Sequence, residues 1–302
     1  MIRLLPLATL ASLLLSNATW AAPNVVASIK PIHSLVAAVM QGVAEPTLIV
    51  KGAASPHTYA LRPSDASALE AADIVFWTGS SLELFLADAL DTLAPDATKV
   101  ELTEAPGVEL LAPRESGAFE VDTEDHGHAH GEEIDPHFFL DPQNAKLMVS
   151  HIAGVLAEAD PDNAARYQAN AETERSALDA LSGDIAARLE TVKDKPFVVF
   201  HDAYQYFEKR FDLAVAGSIT LSPDAMPGAA GIDALRAKVS ELGASCVFAE
   251  PNFKPTIVDA IIEGTSAKAG VLDPEGSTLP EGVELYPTLM RDLANNIVDC
   301  LS

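Results

Sequence analysis

Along this chain, short runs of β-branched and aromatic residues alternate with stretches of helical spacing. Val25 to Ile29, Thr47 to Val50, Ile74 to Thr78 and Lys99 to Leu102 read as strands, and Ser34 to Met40 and Pro63 to Ala71 as helices between them. Ser64 or Asp65 is placed to cap the second helix. Strands that alternate with helices form βαβ units, which pair in parallel and carry helices on both faces of the sheet. The rhythm returns with Phe197 to Phe200, Leu213 to Ile219, Cys246 to Ala249 and a short run near Val271. The pattern therefore predicts an α/β protein of two lobes, residues 22–159 and 194–302, each a mostly parallel sheet flanked by helices.

Residues 160–193 hold the longest helical stretch. Asp160-Pro161 is a start signal, a capping residue with proline at the first helical position. No proline follows until past Thr191, and Tyr167, Ala171, Leu178, Leu181, Ile185 and Leu189 recur at helical spacing. Roughly thirty residues at about 1.5 Å each make a rod of about 45 Å. Such a rod can cross the back of both lobes and join them stiffly.

Two segments depart from the rhythm. Arg3, the apolar run Leu4 to Leu15 and the small residues around Ala18, Ala21 and Ala22 read as a secretory signal, residues 1–21, cut after Thr19-Trp20-Ala21. The run is short for a membrane-spanning helix, which disfavours a retained anchor. No cysteine lies near the cut, so a soluble periplasmic product is expected rather than a lipoprotein. From Glu115 to Asp135 the chain is acidic and nearly without apolar residues, and it carries His126, His128 and His130. Such a segment buries too little to fold alone and should be a loop.

A formal net charge of −25 over 302 residues opposes nucleic-acid binding, because phosphate backbones repel such a surface. Acidity suits a cation-handling protein and equally suits simple solubility. Cys246 and Cys300 are the only cysteines, and in an exported chain they are expected to form a disulfide that staples the terminal helix to the second lobe. The competing reading is a thiolate metal site, for which neither cysteine has a second ligand at zinc spacing.

The candidate chemistry lies in the histidines. His201 ends the buried run Phe197-Val-Val-Phe200; His57 follows the Thr47 strand within Gly52-Ala-Ala-Ser-Pro-His57-Thr-Tyr59. His137 stands in Asp135-Pro-His137-Phe-Phe-Leu-Asp141-Pro142, before a new helix. Ligands of open parallel sheets bind beyond the carboxyl ends of the strands, where these loops belong. Zinc takes neutral imidazole nitrogens at about 2.0–2.1 Å, and ligands distant in sequence can supply them. Singly, each histidine would be an ordinary polar loop residue.

The runs Ala53-Ala-Ser-Pro-His57-Thr-Tyr-Ala-Leu-Arg62-Pro-Ser-Asp65, Asp135-Pro-His137-Phe-Phe-Leu-Asp141-Pro142 and His201-Asp-Ala-Tyr204, with Asp273-Pro274, resemble the signature segments of the zinc/manganese solute-binding proteins of ABC importers. The likeness is to the periplasmic zinc receptors among them, the ZnuA type. It implies two α/β lobes, a rigid connecting helix and one interlobe site holding the transported Zn2+ through His57, His137 and His201. In related receptors the fourth position is an acidic residue or water; Pro56 rules out an acid directly before His57, which leaves Asp273 or water. The likeness also implies an inner-membrane permease as partner, with a periplasmic metallochaperone as a second candidate, and a monomeric receptor.

His126, His128 and His130 resemble the histidine-rich loop of zinc members, and a weak secondary metal site is expected there. Glu250 is expected to play a supporting or structural role, His33 a structural one and His151 that of an ordinary helical residue. The alternative function is an exported zinc-dependent hydrolase using the same three histidines, although neither an HExxH helix nor a nucleophile elbow is present. Adhesion or metal chaperoning is a third class.

Overall fold

The computed structural model describes residues 22–114, 134–221, 228–241, 243–253 and 256–302. The expected signal segment and His126, His128 and His130 lie outside the described residues. No helix among the described residues is long and apolar enough to cross a membrane.

The first sheet contains β1 (Val25–Ala27), α1 (Lys30–Met40), β2 (Thr47–Leu48), α2 (Pro63–Glu70), β3 (Ile74–Trp77), α3 (Leu84–Leu93) and β4 (Thr98–Glu101), the strands being parallel in the order β2-β1-β3-β4. Two helices follow, α4 (Pro142–Ala159) and α5 (Ala164–Leu189). The second sheet repeats the plan with β5 (Phe197–His201), α6 (Gln205–Phe211), β6 (Val215–Thr220), α7 (Ala229–Glu241), β7 (Cys246–Ala249), α8 (Thr256–Ile262) and β8 (Lys268–Val271), in the order β6-β5-β7-β8. Helix α9 (Leu285–Leu301) closes the chain. In each sheet the chain moves one way from its first strand and then the other, so a topological switch point opens beside β1 and beside β5.

The expected elements differ from the observed ones mainly at their ends. α1 starts at Lys30 rather than Ser34, because Pro31 sits in the first turn, where its missing N–H has no helical partner to lose. β2 is two residues long, yet the amides of Ile49 and Val50 still donate to the carbonyls of Ala27 and Ser28, at 3.1 and 2.9 Å. Asp65, not Ser64, secures the start of α2, its Oδ2 accepting from the Arg62 amide at 2.8 Å. Before α5 the chain makes a 3-10 turn, Pro161–Asn163, where Asp160 Oδ2 accepts from Asn163 Nδ2 and from the Tyr167 hydroxyl, both at 2.8 Å.

α5 buries Tyr167, Ala171, Leu178, Leu181, Ile185 and Leu189, the same positions its periodicity singled out. Its 26 residues span about 39 Å at 1.5 Å per residue. It packs on α1 and α4 beside the first sheet, and on α6 and α9 beside the second. Strand β5 divides its side chains by the two-residue alternation of a strand. Phe197 and Val199 join the large core shared with the first sheet, and Val198 and Phe200 face a smaller core under α7 and α8. One apolar core thus runs continuously from β1 to the inner face of the second sheet.

Polar clasps reinforce this union. Lys30 Nζ donates to the carbonyls of Gly276, Ser277 and Leu279 at 3.2, 2.8 and 2.9 Å. Ser34 Oγ donates to Val283 O at 2.9 Å, and the Tyr286 hydroxyl to Phe139 O at 2.8 Å. Arg210 of α6 grips Asp141 with two bonds of 2.7 Å. The expected disulfide is present: Cys246 of β7 is bonded to Cys300 in the last turn of α9, 54 residues away. Beside it Gly270 of β8 has no alternative, since a Cβ there would lie 2.5 Å from the Phe248 ring.

Candidate metal centre

Each of the three histidines is delivered by a different device. His201 is the last residue of β5, at the switch point of the second sheet, and is 1% exposed. Glu250 stands directly after the neighbouring strand β7, and its Oε1 lies 2.6 Å from His201 Nδ1 and accepts from the His201 amide at 3.3 Å. The Tyr204 hydroxyl reaches the same oxygen at 3.4 Å. Burial, followed by the nearby Glu250 and Asp273, pushes the Tyr204 hydroxyl well above its usual range, so it remains a donor.

His137 opens a 3-10 turn, Phe138–Leu140, whose three side chains are fully buried and fix its direction. Asp135 Oδ1 accepts from the His137 amide at 3.0 Å and lies 2.8 Å from its Nδ1. The backbone of Asp135 is itself held: its amide donates to Leu111 O at 2.8 Å, and its carbonyl accepts from the Tyr206 hydroxyl at 2.9 Å. Just beyond the turn, Asp141 caps α4 by accepting from the Gln143 amide at 2.8 Å.

His57 is the central residue of a 3-10 turn, Pro56–Thr58, capped by Ser55 Oγ, which accepts from the His57 amide at 3.4 Å. The loop enters through Gly52, whose φ of +69° a side chain would strain. It leaves through Tyr59, whose hydroxyl donates to Asp65 Oδ2 at 2.8 Å. No carboxylate bonds the His57 ring among the described residues, and its Nε2 is buried without a hydrogen-bond partner. Burial first, and then the neighbouring His137 and His201, lower the His57 pKa to about 2, so the ring is neutral at ordinary pH.

These devices bring the three rings together. Their centroids are 5.5 Å (His57–His137), 5.6 Å (His57–His201) and 5.2 Å (His137–His201) apart, and one ligand nitrogen from each lies within 4.8 Å of the others. His137 Nε2 and His201 Nε2 are 3.4 Å apart. Donors around a tetrahedral zinc with bonds of about 2.0–2.1 Å stand about 3.3 Å from one another. A carboxylate accepts, so Asp135 and Glu250 favour a proton on Nδ1 of His137 and His201, which leaves the facing Nε2 atoms as acceptors. Two imidazole nitrogens set as acceptors beside the unpartnered Nε2 of a third make a candidate receptor for a cation.

The remaining predicted residues lie elsewhere. Asp273 is not in this group: its Oδ1 accepts from the Glu275 amide at 3.2 Å, and its Oδ2 from Ser277 Oγ and the Thr278 amide at 2.9 and 3.3 Å. His33 is buried in α1 with Nε2 3.0 Å from Pro46 O, and His151 lies within α4. Asp135 was not foreseen in the sequence, although Asp-Pro-His carries a signal for it: an aspartate two residues before an amide readily accepts from that amide.

The match to the family model described as zinc-uptake complex component A, periplasmic, runs over residues 25–300. The chain is 48% identical over 308 residues to the high-affinity zinc uptake system protein ZnuA of Brucella suis biovar 1 (strain 1330), covering 92% of each chain. It is 35% identical over 303 residues to the protein of the same name from Yersinia pestis, covering 96% of this chain and 95% of that one. A crystal structure of ZnuA shares the fold with a TM-score of 0.79 at 23% identity, covering 93% of this chain and all of the other. With this match along nearly its whole described length and relatives of that identity, the chain belongs to the periplasmic zinc-uptake component A family.

Proposed function

We propose that this protein is the high-affinity periplasmic zinc-binding component of an ABC importer, which carries one Zn(II) between its lobes and delivers it to an inner-membrane permease. The lobes are residues 22–159 and 194–302, joined by 160–193, and the receptor acts as a monomer. The observation that carries this reading is the convergence of three imidazoles, with His57 Nε2 buried and unpartnered among the described residues and the Nε2 atoms of His137 and His201 3.4 Å apart. In this reading His57, His137 and His201 are the ligands and zinc is cargo. Three imidazoles suit zinc and disfavour manganese, which prefers more oxygen donors.

Asp273 is occupied by its own loop, and the fourth position falls to a water molecule. The segment bearing His126, His128 and His130 serves as a weak collecting site. An exported hydrolase would need a free carboxylate as base beside a metal-bound water. Of the candidates, Glu250 has Oε1 engaged by His201 and Asp273 has both oxygens engaged by its own loop.

Metal analysis of protein purified without added metal, repeated for His57→Ala, His137→Ala and His201→Ala, tests the assignment. One zinc per chain in the parent protein, its loss in His137→Ala and His201→Ala and a reduced content in His57→Ala is the expected result. Retention of zinc in all three variants refutes the site, and turnover in a hydrolase screen of the zinc form refutes the transport reading.

A further inference from the structure

Two carboxylates stand behind the metal-facing imidazoles. Asp135 Oδ1 lies 2.8 Å from His137 Nδ1, and Glu250 Oε1 lies 2.6 Å from His201 Nδ1. The residues are 3% and 5% exposed, so no solvent competes for these bonds. Each carboxylate also accepts from the backbone amide of the histidine it serves, at 3.0 and 3.3 Å, which fixes the ring relative to its own main chain. The two carboxylates come from different places, one from the approach to α4 and one from the end of β7, yet make the same pair of bonds.

We propose that Asp135 and Glu250 are positioning residues for zinc capture. They hold His137 and His201 with Nδ1 protonated and Nε2 bare before the ion arrives, and their two negative charges offset the dication without touching it. The proposal rests on the three-imidazole site described above. A carboxylate suits this task because it cannot donate: an amide in its place could turn its NH2 toward Nδ1 and select the tautomer that blocks Nε2. Charge matters as well, since a buried dication ligated only by neutral rings stays uncompensated.

The test uses the full chain, zinc-free and labelled with 15N, and variants Glu250→Ala, Glu250→Gln, Asp135→Ala and Asp135→Asn. Imidazole nitrogen shifts report the tautomer directly, without metal. The parent protein is expected to show Nδ1–H at His137 and His201, and each alanine variant a mixture at the ring it exposes. Zinc affinity by chelator competition should weaken about 10–100-fold in the alanine variants and also in the amide variants, which lose the charge and can turn an NH2 toward Nδ1. The visible spectrum of the Co(II) form should shift in the same variants.

Glu83→Gln removes a buried carboxylate that bonds Thr78 instead of a histidine and should leave affinity unchanged. Nε2–H at both rings in the zinc-free parent, or alanine variants within about two-fold of its affinity, overturns the proposal. If an alanine variant does not fold, the parent tautomer and the amide variants decide. A parent protein that binds no zinc, or histidine variants that bind as tightly, would instead bring down the three-imidazole site itself.

Discussion

His201 ends a five-residue strand in which every side chain is buried, beside a neighbouring strand whose next residue, Glu250, grips its ring. His57 reaches the same point from a three-residue turn between a glycine of positive φ and a tyrosine tether, with no partner for its Nε2. His137 resembles His201: it is buried, held by a carboxylate and followed by three fully buried side chains. The site therefore has a fixed pair and a yielding third. Parting the lobes would tear a shared apolar core and the clasps of Lys30, Ser34, Arg210 and Tyr286. Moving the His57 loop would break only local bonds, those of the Tyr59 hydroxyl to Asp65 and Ile49 at 2.8 and 3.2 Å and of Ser55 to the His57 amide at 3.4 Å, so the expected route of metal exchange is past His57.

Replacing a ligand is the strongest way to probe this contrast. A zinc site worth about 10–16 kcal/mol, shared among three or four ligands, assigns each imidazole roughly 3–4 kcal/mol, a few hundred-fold in affinity. His137→Ala and His201→Ala should lose at least that, by chelator competition. His57→Ala should lose less, because its loop can settle without the ring, and its loss should fall chiefly on the dissociation rate. Equal losses and equal rates for all three would erase the distinction.

The disulfide supports the fixed half. Closing a 54-residue loop constrains the unfolded chain by about 4 kcal/mol in the chain-entropy account. Cys246→Ser with Cys300→Ser should lower the thermal midpoint clearly while zinc stoichiometry stays at one. Loss of stoichiometry would show that β7, and Glu250 with it, depends on the bridge for its place.

Much of this was legible in the sequence, for identifiable reasons. Buried parallel strands such as Phe197-Val-Val-Phe200 are continuous apolar runs, and an amphipathic rod such as α5 writes its buried face at helical spacing. Both depend on local pattern. The positions of His57, His137 and His201 followed from where loops leave a parallel sheet, and their identity as a set came from the family resemblance. What stayed hidden depends on how side chains orient within a turn, which residue order alone does not fix, even between near neighbours. Nothing near Asp135 says that its carboxylate will bond the His137 ring. Nor does anything near Asp273 say that its oxygens will be taken by the turn Glu275 to Thr278. The start of α5 was misplaced by a few residues because a 3-10 turn and an α-helix share the same entry signal at Asp160-Pro161.

Acid should act through the yielding ligand. The His57 pKa is about 2 in the fold, against 6.5 in the unfolded chain. Both forms are neutral above about pH 7.5, so stability there is unaffected. As pH falls below 6.5 the unfolded chain takes up the proton and the folded one does not, which costs up to about 1.4 kcal/mol per unit at His57. The metal-free protein should lose thermal stability from pH 7 to pH 5, and His57→Gln should lose less. A flat profile in the parent, or identical slopes in the two, contradicts the buried neutral ring.

The smallest expected effect is at the loop entrance. Gly52→Ala meets no atom within 4 Å, so its only cost is the positive φ, about 1–2 kcal/mol. It should alter zinc exchange rates by stopped flow while leaving the fold intact. Unchanged exchange would locate the path elsewhere.

X-ray absorption at the zinc edge on the singly loaded protein bears most directly on the three converging imidazoles. Three histidine nitrogens at about 2.0–2.1 Å with one light oxygen ligand is the predicted shell, falling to two imidazoles in His57→Ala. A shell with fewer than three imidazoles in the parent, or one unchanged by that substitution, would contradict the account.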